Sequence, residues 1–143
     1  MEYQKFKDCI VLRLDPKDEI VTCIKELCEK EKIHCASIEG IGATDDFEIG
    51  AYHLESKSFQ GNVFHFPAEI TSLIGNVTRQ EKEVYLHLHM TVADEKGNAF
   101  GGHLKYAVIN CTGEIILRVI DGKVHRKKDE QTGLNIFAFE NTI

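Results

Sequence analysis

Three of the seven histidines in this 143-residue chain, His87, His89 and His103, are spaced so that a single hairpin can gather them at one point. Imidazole nitrogens are ligands for zinc and for copper, nickel and iron, so the chemistry these residues offer is the holding of a divalent transition metal. Residues 84, 86, 88, 90 and 92 are Val, Leu, Leu, Met and Val, whereas 85, 87, 89 and 91 are Tyr, His, His and Thr. That period-2 pattern is a strand with one apolar and one polar face. It points His87 and His89 the same way, with their Cα atoms about 7 Å apart.

The turn decides whether the third histidine joins them. Asp94 suits the first position of a type I turn and Gly97 the left-handed position after it, which predicts a three-residue hairpin loop with a glycine bulge. Asp94 then pairs with Asn98, and counting along both strands sets Val92 against Phe100, Met90 against Gly102, His89 against His103, Leu88 against Leu104 and Leu86 against Tyr106. The apolar faces agree in this register, and a slip of one residue would turn His103 to the wrong face. Gly101 and Gly102 remove two side chains beside His103, a pattern that marks a bulge or the close approach of a ligand or another backbone. No fourth ligand is evident, and three imidazoles with an open position are what catalytic zinc uses. The competing account is that the histidines hydrogen-bond to neighbours or line an oligomer interface.

The rest of the chain must supply a rigid frame. Residues 6–14 read as a strand. Asp15-Pro16 then predicts a helix start, with Asp15 as cap, Pro16 at the first helical position, and Asp18 and Glu19 at the positive end of the dipole. Ile20, Cys23, Ile24, Leu27 and Cys28 form a helical stripe, and the helix should end at residues 30–32. Residues 33–38 read as a strand closed by a tight bend at Gly40-Ile41-Gly42. A dinucleotide-binding reading of that bend fails, because no third glycine follows and residues 47–54 read as a strand instead of a helix. Further strands are expected at 58–66, 69–78, 84–92, 99–109, 114–120 and 135–139. One principal helix among hairpin-linked strands predicts a single α+β domain over residues 1–143, with a largely antiparallel sheet.

Composition sets the bounds. Hydrophobic residues make up 43% and charged residues 28% of the chain, ordinary for a globular domain. No apolar run approaches a membrane span and the N-terminus opens no signal-peptide pattern, so a cytoplasmic location without membrane contact is expected. Five scattered cysteines contain no Cys-x-x-Cys pair, and Cys9, Cys23, Cys28 and Cys35 read as reduced core residues. The net charge of −6 weighs against phosphate-driven nucleic-acid binding. The basic cluster Lys123, His125, Arg126, Lys127 and Lys128, followed at once by Asp129 and Glu130, reads as a solvated turn.

Several segments occur in an order and spacing that resemble a known family. They are Arg13-Leu14-Asp15-Pro16-Lys17-Asp18-Glu19-Ile20, Gly40-Ile41-Gly42-Ala43, Ser72-Leu73-Ile74-Gly75-Asn76, His87-Leu88-His89, Phe100-Gly101-Gly102-His103, and Arg126 through Gly133-Leu134-Asn135. Together they resemble the PPC domain, the plants-and-prokaryotes conserved domain, over nearly the whole chain. The resemblance implies an α+β domain assembled as a homotrimer. Plant members carry AT-hooks and prokaryotic ones are often labelled DNA-binding, so a DNA-binding or transcription-associated regulatory module is the alternative function. This chain has no AT-hook, and Phe66-Pro67-Ala68-Glu69-Ile70-Thr71 keeps only two residues of the plant partner-contact motif. His87, His89 and His103 are instead those of stand-alone prokaryotic members, which looks like a metal-binding branch. Glu39, Arg13 and Asn76 lie in the resembling segments and are candidate neighbours of the metal or of a small-molecule ligand, Glu39 as a base and Arg13 as an anion contact.

Overall fold

The computed structural model describes residues 1–139. Its elements in chain order are β1 (Glu2–Phe6), β2 (Cys9–Leu14), α1 (Ile20–Lys30), β3 (Ala36–His53), β4 (Ser58–Phe64), β5 (Ala68–Gln80), β6 (Glu83–Ala93), β7 (Ala99–Val119), β8 (His125–Lys128) and β9 (Asn135–Ala138). The class is α+β, with one helix and a mostly antiparallel sheet among the described residues. The exception is β8, which meets β5 in parallel at Arg79 and His125.

β3 pairs with both β5 and β7, and β6 also pairs with both β5 and β7. Those four strands therefore close into a ring, which leaves none of them an open edge at the hairpin. The stripe Ile20, Ile24, Leu27 and Cys28 of α1 is buried and joins one hydrophobic core with Leu12, Ile115 and Leu117 of the sheet and Leu88 and Met90 of β6.

Five expectations need correction. Residues 2–14 form a hairpin, with Phe6 paired to Cys9, in place of a single strand over 6–14. The helix starts at Ile20, not at Pro16: Lys17 takes a left-handed φ of 78°, and its amide donates to the Ile109 carbonyl at 2.8 Å. This ties residues 15–19 to β7, and Glu19 becomes the cap, its carboxylate accepting from the Val21 and Thr22 amides at 2.9 and 2.8 Å. Asp15 and Asp18 instead hold the N-terminal amine at 3.0 and 2.8 Å. The expected bend at Gly40 to Gly42 is a register shift inside one 18-residue strand, and the two strands expected at 99–109 and 114–120 are one. β3 and β7 run against each other over this length, so each supplies the hydrogen bonds that local breaks in pattern would interrupt. Finally, the basic cluster is not a solvated turn, because His125, Arg126, Lys127 and Lys128 form β8.

Candidate metal centre

β6 presents its side chains as the alternation requires. Leu88 and Met90 are buried, His87 is half-buried and His89 is exposed. The loop after it is the predicted one: the Asp94 amide donates to the Asn98 carbonyl and the Gly97 amide to the Asp94 carbonyl, both at 3.0 Å, with Gly97 at φ 79°. The Asp94 carboxylate accepts from the Lys96 and Asn98 amides at 2.9 and 2.8 Å, which fixes the turn.

The register follows. Val92 faces Phe100, Met90 faces Gly102 and His89 faces His103. Pairing then stops, so the expected pairs Leu88–Leu104 and Leu86–Tyr106 do not form. β7 leaves β6 at His103 and continues on β3, where Leu104 meets Ile49 and Tyr106 meets Glu48. The glycine before the third histidine has its reason in this departure, since a Cβ at Gly102 would strike the carbonyl oxygen of Gly50 on β3.

The three imidazoles converge. Ring centroids lie 5.1 Å (His87–His89), 5.3 Å (His87–His103) and 5.6 Å (His89–His103) apart. One nitrogen from each ring falls within 4.8 Å of the other two. Phe59 of β4 packs edge-on against His103 at 5.6 Å. Burial, and then the neighbouring His103, His89 and Arg126, push the His87 pKa down to about 4. Burial, followed by His89 and Lys105, also lowers that of His103. These two are therefore neutral at pH 7, the form that coordinates a metal.

Asn76 lies directly across the β5–β6 ladder from His87. Glu39 and Arg13 are not brought to the histidines. Ile74 separates Glu39 from His89 in the register, and Glu39 is exposed and pairs with Arg118 at 3.6 Å. Arg13, on β2, pairs with Asp15 at 3.0 Å and Glu2 at 3.2 Å.

Sequence reasoning missed Arg126. Its guanidinium lies over the Tyr85 ring at 4.3 Å and the Phe137 ring at 4.7 Å. It donates to Thr78 Oγ1 at 2.8 Å, the Asn135 carbonyl at 2.6 Å and Asn76 Oδ1 at 2.8 Å. The available signal was its place at the head of the segment that ends in Gly133-Leu134-Asn135. A run of six residues with four cations hides which one turns inward.

Residues 1–121 match the family model described as the Plants and Prokaryotes Conserved (PCC) domain. Among solved structures, a Bacteroides thetaiotaomicron protein whose description proposes DNA binding is 30% identical, with 96% of each chain covered and a TM-score of 0.94. A protein from Archaeoglobus fulgidus described as metal-containing is 33% identical, with 96% of this chain and 97% of that one covered and a TM-score of 0.85. A plant- and prokaryote-conserved protein from Pyrococcus horikoshii is 28% identical, covering 98% and 96%, with a TM-score of 0.85. No curated protein matches the chain.

Proposed function

The chain belongs to the Plants and Prokaryotes Conserved domain family, and from that premise we propose that it is a metal-binding member holding one divalent ion, zinc foremost, on His87, His89 and His103. The observation that carries this reading is the convergence of one nitrogen from each of three rings to within 4.8 Å. Tetrahedral zinc–imidazole geometry needs nitrogens about 3.3 Å apart, so the rings would draw together on an ion, and His89 is the exposed one of the three. The donor set fits the ion. Imidazole suits zinc, copper, nickel and iron, and among the described residues no carboxylate joins the three rings as magnesium or calcium would ask. The description of the Archaeoglobus relative as metal-containing supports the same reading.

Three protein ligands leave a coordination position open, so a bound ion would act there as a Lewis acid toward an oxygen donor. The chain's own residues orient the site. The bulged turn sets the register that brings His103 to His89, the closed ring of strands holds both, and Asn76 with Arg126 borders His87. We further infer a homotrimer, as the family resemblance implies. The sheet face away from α1 supports it, since Ile41 and Ile74 stand there 57% and 56% exposed.

Elemental analysis of protein purified without an affinity tag tests the metal reading. About one equivalent of a transition metal per chain is expected, and His103→Ala should lose most of it. Undiminished occupancy in that variant would remove the site.

A further inference from the structure

Arg126 is a half-buried cation held, among the described residues, by neutral groups. Its three observed acceptors are a hydroxyl, a side-chain amide oxygen and a backbone carbonyl, and aromatic rings lie against it at 4.3 and 4.7 Å. Among the described residues no carboxylate contributes to its ionisation. A guanidinium carries five N–H donors, and three are engaged, so two remain. A buried arginine normally meets a carboxylate that offsets the cost of removing its charge from water. Among the described residues no carboxylate fills that role for Arg126.

The location of Arg126 ties it to the histidines. Asn76, which accepts from Arg126, sits opposite His87 across the ladder, where facing Cβ atoms lie about 5 Å apart. Tyr85, beneath the guanidinium, is two residues from His87 on the same face of β6. Each charged or titratable neighbour that acts on His87 is a cation or another imidazole, and the same holds for His103. Three neutral imidazoles cancel none of a divalent ion's charge. With Arg126 alongside, the loaded site would hold about three positive charges and, among the described residues, no anion that acts on His87 or His103.

We propose that Arg126 is the anion-binding residue of this site, pairing with a small-molecule oxyanion, a carboxylate or phosphate group, that binds at the open position of a metal held by His87, His89 and His103. The inference rests on the metal reading above and adds the chemical class of its ligand. The rings of Tyr85 and Phe137 and the bonds to Thr78, Asn135 and Asn76 hold the guanidinium in one orientation before a ligand arrives. Such preorganisation strengthens charge-assisted hydrogen bonds to an oxyanion.

Cobalt(II) in place of the native ion gives a d–d spectrum that reads ligand binding directly. The cobalt-loaded full chain would be titrated with inorganic phosphate, with acetate, and with acetamide as a neutral control. The expected result is a saturable spectral change with phosphate, acetate or both and none with acetamide. In cobalt-loaded Arg126→Gln the anion affinity should be reduced roughly 10- to 100-fold, the range for losing a hydrogen bond to a charged group. Arg126→Lys keeps the charge without the planar fork and should bind with intermediate affinity. It carries the test if Arg126→Gln does not fold, as judged by circular dichroism. Equal anion affinity in wild type and the folded variants, or no anion response in cobalt-loaded wild type, overturns the proposal and leaves the metal site standing. Failure of wild type to take up cobalt or zinc overturns both.

Discussion

His87 has its proton chemistry set by its neighbours. Burial is the largest influence holding its pKa near 4, and His103, His89 and Arg126 add to it, whereas in the unfolded chain an imidazole titrates near 6.5. Between these values the unfolded state of the metal-free protein binds a proton that the folded state refuses. The contribution to stability is therefore complete above pH 6.5 and is lost progressively as pH falls toward about 4; the lowered His103 acts in the same direction. Thermal melts of metal-free protein should show the melting temperature dropping through this window, and less steeply in His87→Gln. Imidazole chemical shifts should place the His87 midpoint near 4. A midpoint near 6.5 would show that burial and the cationic neighbours do not act on it as drawn.

At the scale of elements, the site depends on how closely β5 approaches β6. Gly75 pairs with Leu88, and a Cβ there would meet the His87 carbonyl oxygen and the Leu88 Cα. Both are backbone atoms that cannot move aside without parting the strands. Gly75→Ala is expected to cost about 1–3 kcal/mol in denaturant unfolding, as overpacking does, and to lower metal content by displacing His87. Gly122→Ala is the control. No atom lies within 4 Å of a Cβ at that position, so its effect should stay within about 0.5 kcal/mol. Equal stability of the two variants would mean that β5 and β6 tolerate a wider spacing than their ladder indicates.

At the scale of the whole molecule, charge and exposed apolar surface point to different partners. No helix of the described residues is long and apolar enough to cross a membrane. The net charge of −6 opposes phosphate-driven affinity for a duplex, although the Bacteroides relative's description proposes DNA binding. The apolar side chains on the open sheet face favour self-association, which would bury them. Light scattering at ~0.15 M salt is expected to give three times the 16.2 kDa chain mass, unchanged when duplex DNA is added. A particle of single-chain mass would remove the trimer, and a mass increase with DNA would favour the regulatory reading.

The hairpin of the three histidines was legible in the sequence, because alternation, a glycine at the left-handed turn position and a matching apolar face are local constraints that agree with one another. The helix stripe was legible for the same reason. The helix start was not, since Asp15-Pro16 is a good local signal that loses to a backbone bond between Lys17 and Ile109, 92 residues apart. Nor were the unbroken lengths of β3 and β7, whose breaks in pattern are bridged by each other. Glu39 and Asn76 looked equivalent in the sequence, and only the strand order sets Asn76 across from His87 and keeps Glu39 behind Ile74. The place of Arg126 was decided wholly by tertiary structure. Its partners Thr78 and Asn76 lie 48 and 50 positions away, and nothing in a short run of cations records which one the fold will turn inward.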